Sequence, residues 1–201
     1  MPLLFIETTI YCLISFAIYL AEPLASEYLG YYHTGIEQFE LWRLITATFC
    51  HTNFNHLAMN LIGLVVILAL FIDTFKNKTL CFLIAFNSLF IGLSLFLFEP
   101  NVIWYVGFSG VLHGLFSYGV INDIRNKDKW GVILGIGLSG KIIHEQLTGA
   151  QQSTIDLIGA PVLVNAHLYG AIAGILFYSI SHINLALSNK KCPSIKHIDG
   201  H

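Results

Sequence analysis

Charge-poor apolar runs recur along the chain at 8–21, 54–72, 80–98, 108–121, 130–147 and 161–187, each bounded by polar or charged residues. A backbone that crosses hydrocarbon must satisfy its hydrogen bonds within its own segment, so such runs read as transmembrane helices. The first and fourth fall short of the roughly 20 residues that span a bilayer. The fifth holds Lys141 and Glu145. The expected fold is an all-α membrane protein: one domain over 1–201 with six spans, an external loop at 22–53 and a tail at 188–201. No internal repeat or low-complexity stretch interrupts it.

Composition sharpens this picture. The 201 residues are 55% hydrophobic and only 11% charged, with a formal net charge of −2. A soluble domain carries about 25% charged residues. A soluble globular enzyme, a disordered tail and a nucleic-acid-binding module are therefore excluded, and the lipid bilayer is the expected partner. Cys12, Cys50, Cys81 and Cys192 are widely separated, with no Cys-x-x-Cys pair, so they indicate neither a zinc site nor a disulfide framework. Met1 to Ile6 carries no positive side chain, and Glu7 interrupts the first apolar stretch, so the first helix is expected to be retained rather than cleaved as a signal.

Charge placement gives an orientation. Lys76, Lys78, Arg125, Lys127, Lys129, Lys190, Lys191 and Lys196 follow the second, fourth and sixth spans, whereas Arg43 alone lies in a loop on the other side. The positive-inside rule then puts both termini in the cytoplasm. The opposite face is acidic, with Glu22, Glu27, Glu37, Glu40, Glu99 and Asp156. The loop at 22–53, too long for a turn and rich in aromatics, is expected to hold structure of its own in the interface.

Polar side chains within such spans are costly and mark function. Gly107-Phe108-Ser109-Gly110 opens the fourth span. Ser109 is thus in a first helical turn, where free N–H groups and the helix dipole favour developing negative charge. His167 lies near the outer end of the sixth span, at matching depth. Gly110 and Gly114 on one helix, with Gly170 and Gly174 on the other, form small faces that permit close approach. His56 and Asn60 share a face of the second span as i and i+4, and both can donate to an oxyanion. A nucleophile, a base and two donors therefore meet at one level, with no carboxylate placed to extend the pair into a triad. Lys141 and Glu145 are likewise i and i+4 and can pair within their helix.

These residues resemble a family. Trp42-Arg43, His51 with His56 and Asn60, Gly107-Phe108-Ser109-Gly110, and Ala166-His167 with Gly170 and Gly174 look like the ordered motifs of rhomboid intramembrane serine proteases. The resemblance implies a six-helix rhomboid-like bundle using a Ser109–His167 dyad, with His56, Asn60 and backbone N–H, Gly107 included, around the oxyanion, and no metal or cofactor. One position departs: His113 stands where most rhomboids carry a tyrosine that supports the base. Ser109-Gly-Val-Leu-His113-Gly114, with Lys141, Glu145 and Gln146, is similar to the rhombosortase branch. That branch implies membrane-anchored substrates with a C-terminal Gly-Gly hydrophobic tail, cut near the extracytoplasmic face of a bacterial inner membrane. His113 would support His167 or replace it, and Lys141, Glu145 and Gln146 would line the substrate path.

Two other classes stay open on the residues alone. Nine histidines, with His51, His56, His113 and His167 in the outer part of the bundle, suit a haem or metal-binding redox protein, and an inactive rhomboid-like binder would share the same helices. The orientation is checked by cysteine scanning: a cysteine at Glu27 is expected to react with an impermeant reagent applied from outside and one at Asn126 is not, and the reverse pattern overturns it.

Overall fold

A computed structural model of the chain describes residues 2–75 and 79–191. Lys76 and Lys78, and the tail from residue 192 with Cys192 and Lys196, lie outside the described residues. The helices are α1 Pro2–Leu20, α2 Leu24–Leu29, α3 His33–Glu37, α4 Arg43–Thr46, α5 Phe54–Leu70, α6 Ile72–Phe75, α7 Thr79–Phe98, α8 Ser109–Arg125, α9 Lys129–Thr148, α10 Gln152–Ile158 and α11 Val164–Lys191. A 3-10 turn, Ala47–Phe49, follows α4, and two short strands, β1 Tyr31–Tyr32 and β2 Trp104–Tyr105, pair antiparallel.

Three described helices are long and apolar enough to cross a membrane alone, over Leu3–Leu20, Leu80–Phe98 and Val164–Ile183. Arg43–Phe49 and Phe54–Leu70, bent by 94°, form a broken pair that makes a fourth. The first helix starts at Pro2, earlier than the expected start at residue 8, because Glu7 is tolerated within it. Helix α8, with 17 residues, is short for a span, and α9, with 20, is not apolar enough, so length and composition identify three or four spans among the described residues. Helix α8 is also enclosed. Gly110, Val111, Gly114, Leu115, Ser117, Tyr118, Gly119 and Val120 are all buried. Its neighbours are α5, α7, α9 and α11, so its faces meet protein and need not be lipid-like.

The α8–α11 contact is backbone to backbone. A Cβ on Gly170 would fall on the carbonyl oxygen of Gly110, and one on Gly174 would meet the Gly114 carbonyl and Ser117 Oγ. Ser117 Oγ donates across the seam to the Ala171 carbonyl at 2.8 Å. Small residues are what let two helices approach this closely.

The segment between α1 and α5 is held by a buried cation. Arg43 Nη1 donates to the carbonyls of Glu27 and Gly30, each at 2.9 Å, and its Nε meets Glu40 Oε2 at 2.5 Å. Trp42 Nε1 donates to the Tyr28 carbonyl at 3.1 Å and Thr46 Oγ1 to that of Leu29 at 2.6 Å. The planar guanidinium gathers several acceptors at once, which a lysine could not do in the same geometry. With β1 paired to β2, this ties the segment between α1 and α5 to the chain just before α8.

The glycine seam predicts opposite effects at two positions. Gly170→Ala is expected to cost about 1–3 kcal/mol, as overpacking does. Gly137→Ala, in α9 with nothing within 4 Å of its added Cβ, is expected to gain up to about 1 kcal/mol of helix propensity. Thermal unfolding in detergent checks both, and equal responses would show the seam to be slack.

Candidate active site

Ser109 opens α8 immediately after a turn built on Gly107, whose φ of +120° is a conformation that L residues rarely adopt. The turn is pinned on both sides: Gly107 N–H donates to the Ala47 carbonyl at 3.1 Å, and Tyr105 Oη donates to the Gly107 carbonyl at 2.9 Å. A Cβ on Gly107 would sit 2.7 Å from the His56 ring. The first N–H groups of a helix lack intrahelical acceptors, so Ser109 stands among backbone donors.

His167, in the first turn of α11, meets it. Its Nε2 is 2.9 Å from Ser109 Oγ, and its Nδ1 is 2.9 Å from Glu145 Oε2. An ionised carboxylate only accepts, so the ring proton belongs on Nδ1 and Nε2 is left to accept from the serine hydroxyl. The expectation that no carboxylate reaches the pair is therefore corrected. Glu145 comes from α9, packed beside α8, and sequence spacing within α9 carries no sign of that neighbour.

His113 lies against this assembly with its ring stacked on His167, centroids 4.2 Å apart and planes at 14°. Lys141 Nζ is 3.0 Å from His113 Nε2, and Nζ is a donor only, so Nε2 accepts and the His113 proton is on Nδ1. That N–H donates to the Ser109 carbonyl at 2.7 Å. Both nitrogens of His113 are thus engaged away from Ser109 Oγ. Lys141 Nζ also meets Glu145 Oε1 at 2.5 Å.

On the other side of Ser109, α5 supplies His56 and Asn60, both buried. Asn53 caps α5, its side chain accepting from the His56 N–H at 2.9 Å. The Thr52 N–H donates to His56 Nδ1 at 3.4 Å. A lone pair at Nδ1 leaves the proton on Nε2, which with Cε1 lies 2.7 Å from where a Gly107 Cβ would stand. Asn60 Nδ2 is buried with no hydrogen-bond partner among the described residues. A cavity of about 590 Å³ joins these groups, lined by His56, Asn60, Ser109, His113, Lys141, Glu145 and His167 among others.

The remaining candidates divide. Gln146 does not line this cavity; its Nε2 donates to the Val164 carbonyl at 3.3 Å and so links α9 to the start of α11. Thr52 was missed from sequence. It orients His56 and also donates from Oγ1 to the Ile158 carbonyl at 2.6 Å, tying α10 to the head of α5. His51 turns its Nδ1 to the Phe49 carbonyl at 3.1 Å and presents its ring to His56 edge-on. Possible ligand atoms of His113, Glu145 and His167 lie within 4.8 Å of one another. The Lys141 ammonium already bonds two of those three residues, so a cation of the chain itself stands where a metal would compete.

A helical membrane protein with a serine and a histidine joined inside its bundle is the class that fold and site define. The Rhomboid domain family matches residues 38–183. The chain is also 32% identical over 179 residues to "Rhomboid-like protein 11, chloroplastic" of Arabidopsis thaliana, an alignment covering 82% of this chain. It spans 61% of the length of that relative. The chain belongs to the rhomboid family, whose members are in general serine intramembrane proteases, and it is an integral membrane protein.

Gly107→Ala puts a methyl into the His56 ring and forces φ out of its present region. It is expected to slow the reaction of Ser109 with a fluorophosphonate at least about tenfold, because the turn that presents Ser109 must shift, while the protein still elutes as a folded species. An unchanged rate would show that the Gly107–His56 approach is unimportant.

Proposed function

We propose that the chain is an intramembrane serine endopeptidase in which Ser109 is the nucleophile and His167 the general base. The single observation that carries this reading is the 2.9 Å approach of His167 Nε2 to Ser109 Oγ from two different helices. Ser109 Oγ attacks the scissile carbonyl carbon as its proton passes to His167 Nε2. His56, Asn60 and the N–H groups at the head of α8 face the oxyanion so formed. Collapse breaks the C–N bond, and the proton on His167 goes to the leaving amine. Water then adds to the acyl ester with His167 again taking the proton, and Ser109 is regenerated. His113 supports His167 by stacking on it; both its nitrogens are already engaged.

The substrates proposed are membrane-anchored proteins with a C-terminal Gly-Gly hydrophobic tail, as in rhombosortases. Six spans with both termini cytoplasmic would open the site to the extracytoplasmic face of a bacterial plasma membrane. A helical substrate hides its carbonyls, and glycine costs a helix about 1 kcal/mol relative to alanine, so a Gly-Gly pair at the outer end of a tail unwinds easily. The side chains of Lys141 and Glu145 border the cavity where the unwound strand would lie.

Co-expression with a secreted protein bearing such a tail, followed by mass measurement of its C-terminus, is expected to show a new terminus. Ser109→Ala and His167→Ala should each abolish it, and the double variant should be no worse, since members of one unit are non-additive. Asn60→Ala should cost about 10- to 1000-fold. Turnover by Ser109→Ala would end the protease reading. Equal cleavage of Gly-Gly and Leu-Leu tails would end the rhombosortase-like one alone, and capture of the tail without any product would indicate a binder.

A further inference from the structure

We infer that Glu145 is a positioning residue for His167, held to that task by Lys141 and His113. The inference rests on the reading of Ser109 and His167 as nucleophile and base. Helix α9 is peripheral: of its residues only Gly131 is fully buried. Near its outer end, however, Lys141 and Glu145 reach inward one turn apart, and the Glu145 side chain is only 13% exposed. Its two oxygens are divided between two partners. Oε2 accepts from His167 Nδ1, and Oε1 accepts from Lys141 Nζ. Lys141 Nζ donates onward to His113 Nε2, and His113 Nδ1–H returns to the Ser109 backbone carbonyl. The bonds thus close a ring that starts and ends at Ser109.

Each link restricts the next. Glu145 on Nδ1 excludes the tautomer of His167 that would turn an N–H toward Ser109 Oγ and leave the serine proton with no acceptor. Lys141 fixes the carboxylate by its other oxygen, so it cannot rotate away, and keeps it ionised and therefore an acceptor. The stacked His113 ring blocks one face of His167 against tilting. A carboxylate on the distal nitrogen also stabilises the imidazolium that forms when the serine proton arrives. The competing reading is an ion pair that merely neutralises two charges within α9. That reading explains the Lys141–Glu145 contact and leaves the Glu145–His167 contact without a reason.

The two are separated by removing the charges together. Purified full-length protein in detergent is treated with a fluorophosphonate, and the maximal labelling rate is read apart from the half-saturating concentration. Glu145→Gln is expected to lower the maximal rate about 10²- to 10⁴-fold with little change in half-saturation. Lys141→Met/Glu145→Gln leaves no unpaired charge and is expected to stay as slow as Glu145→Gln. A double variant that labels at the wild-type rate would show that only neutralisation mattered, and overturn the inference. Should these variants not fold, ¹⁵N-histidine NMR of the wild type decides: a His167 proton on Nδ1, shifted downfield by its carboxylate, is expected, and a proton on Nε2 overturns it. Labelling that persists in Ser109→Ala would instead overturn the protease reading. Labelling that needs Ser109 but is indifferent to Glu145→Gln would overturn the positioning role alone.

Discussion

The constraint on which the site depends is the backbone contact between α8 and α11. Ser109 and His167 sit on separate helices, and the distance between them follows from how closely those helices pack. Here the Gly110 carbonyl meets Gly170, and the Gly114 carbonyl meets Gly174. Ser109 precedes the first of these glycines by one residue, and His167 precedes Gly170 by three, so the seam sets the distance between the two functional groups directly. In a membrane, where lipid tails compete with side chains for apolar contact, close packing of this kind is a main source of helix association. The same contact that assembles the bundle therefore aligns the chemistry.

A second consequence concerns the polar groups inside. His113, Glu145 and His167 are expensive in a low-dielectric setting unless their donors and acceptors are matched. They are matched to one another, with Lys141 supplying the positive charge for Glu145. A satisfied network of this kind is rigid, because losing one member strands the next in a medium that cannot hydrate it. Asn60 is the contrast: its Nδ2 has no partner among the described residues, and Asn60 lines the same cavity as Ser109. An unpaired buried donor of this kind is free to bond a group that enters the cavity, as the proposed oxyanion would.

How much of this was legible in the sequence differs between elements. Helix positions were readable because apolar runs report on the medium they face, and Ser109 and His167 stood out because nothing apolar explains them. The glycine pairs were readable too, since period-four small residues mark a contact face. Helix α8 is weakly marked for a different reason: a helix surrounded by protein has no need to look like lipid, and at 17 residues it is short for a span as well. Glu145 was assigned to the substrate path because a chain read linearly shows Lys141 as its only neighbour at helical spacing. The partner that matters is 22 residues away on α11, a relation fixed by packing and by nothing local. The link of Thr52 to Ile158 is hidden for the same reason, since it depends on where α10 folds back, whereas its bond to His56, four residues on, is local.

The segment between α1 and α5 holds the serine turn in place. Gly107 is fixed by Ala47 from below and by Tyr105 from its own strand. Tyr105 in turn is paired through β2 to β1, and β1 lies beside the acceptors gathered by the Arg43 guanidinium. Ala47 belongs to the turn that immediately follows α4, whose first residue is Arg43. Both supports of Gly107 therefore trace back to one buried cation. Stripping a buried charge of its partners typically costs about 3–5 kcal/mol, so the fold holds this loop in place far more firmly than apolar contact with the interface would. A loop fixed this strongly braces the turn that presents Ser109, so the long aromatic segment before α5 supports the candidate site through Gly107.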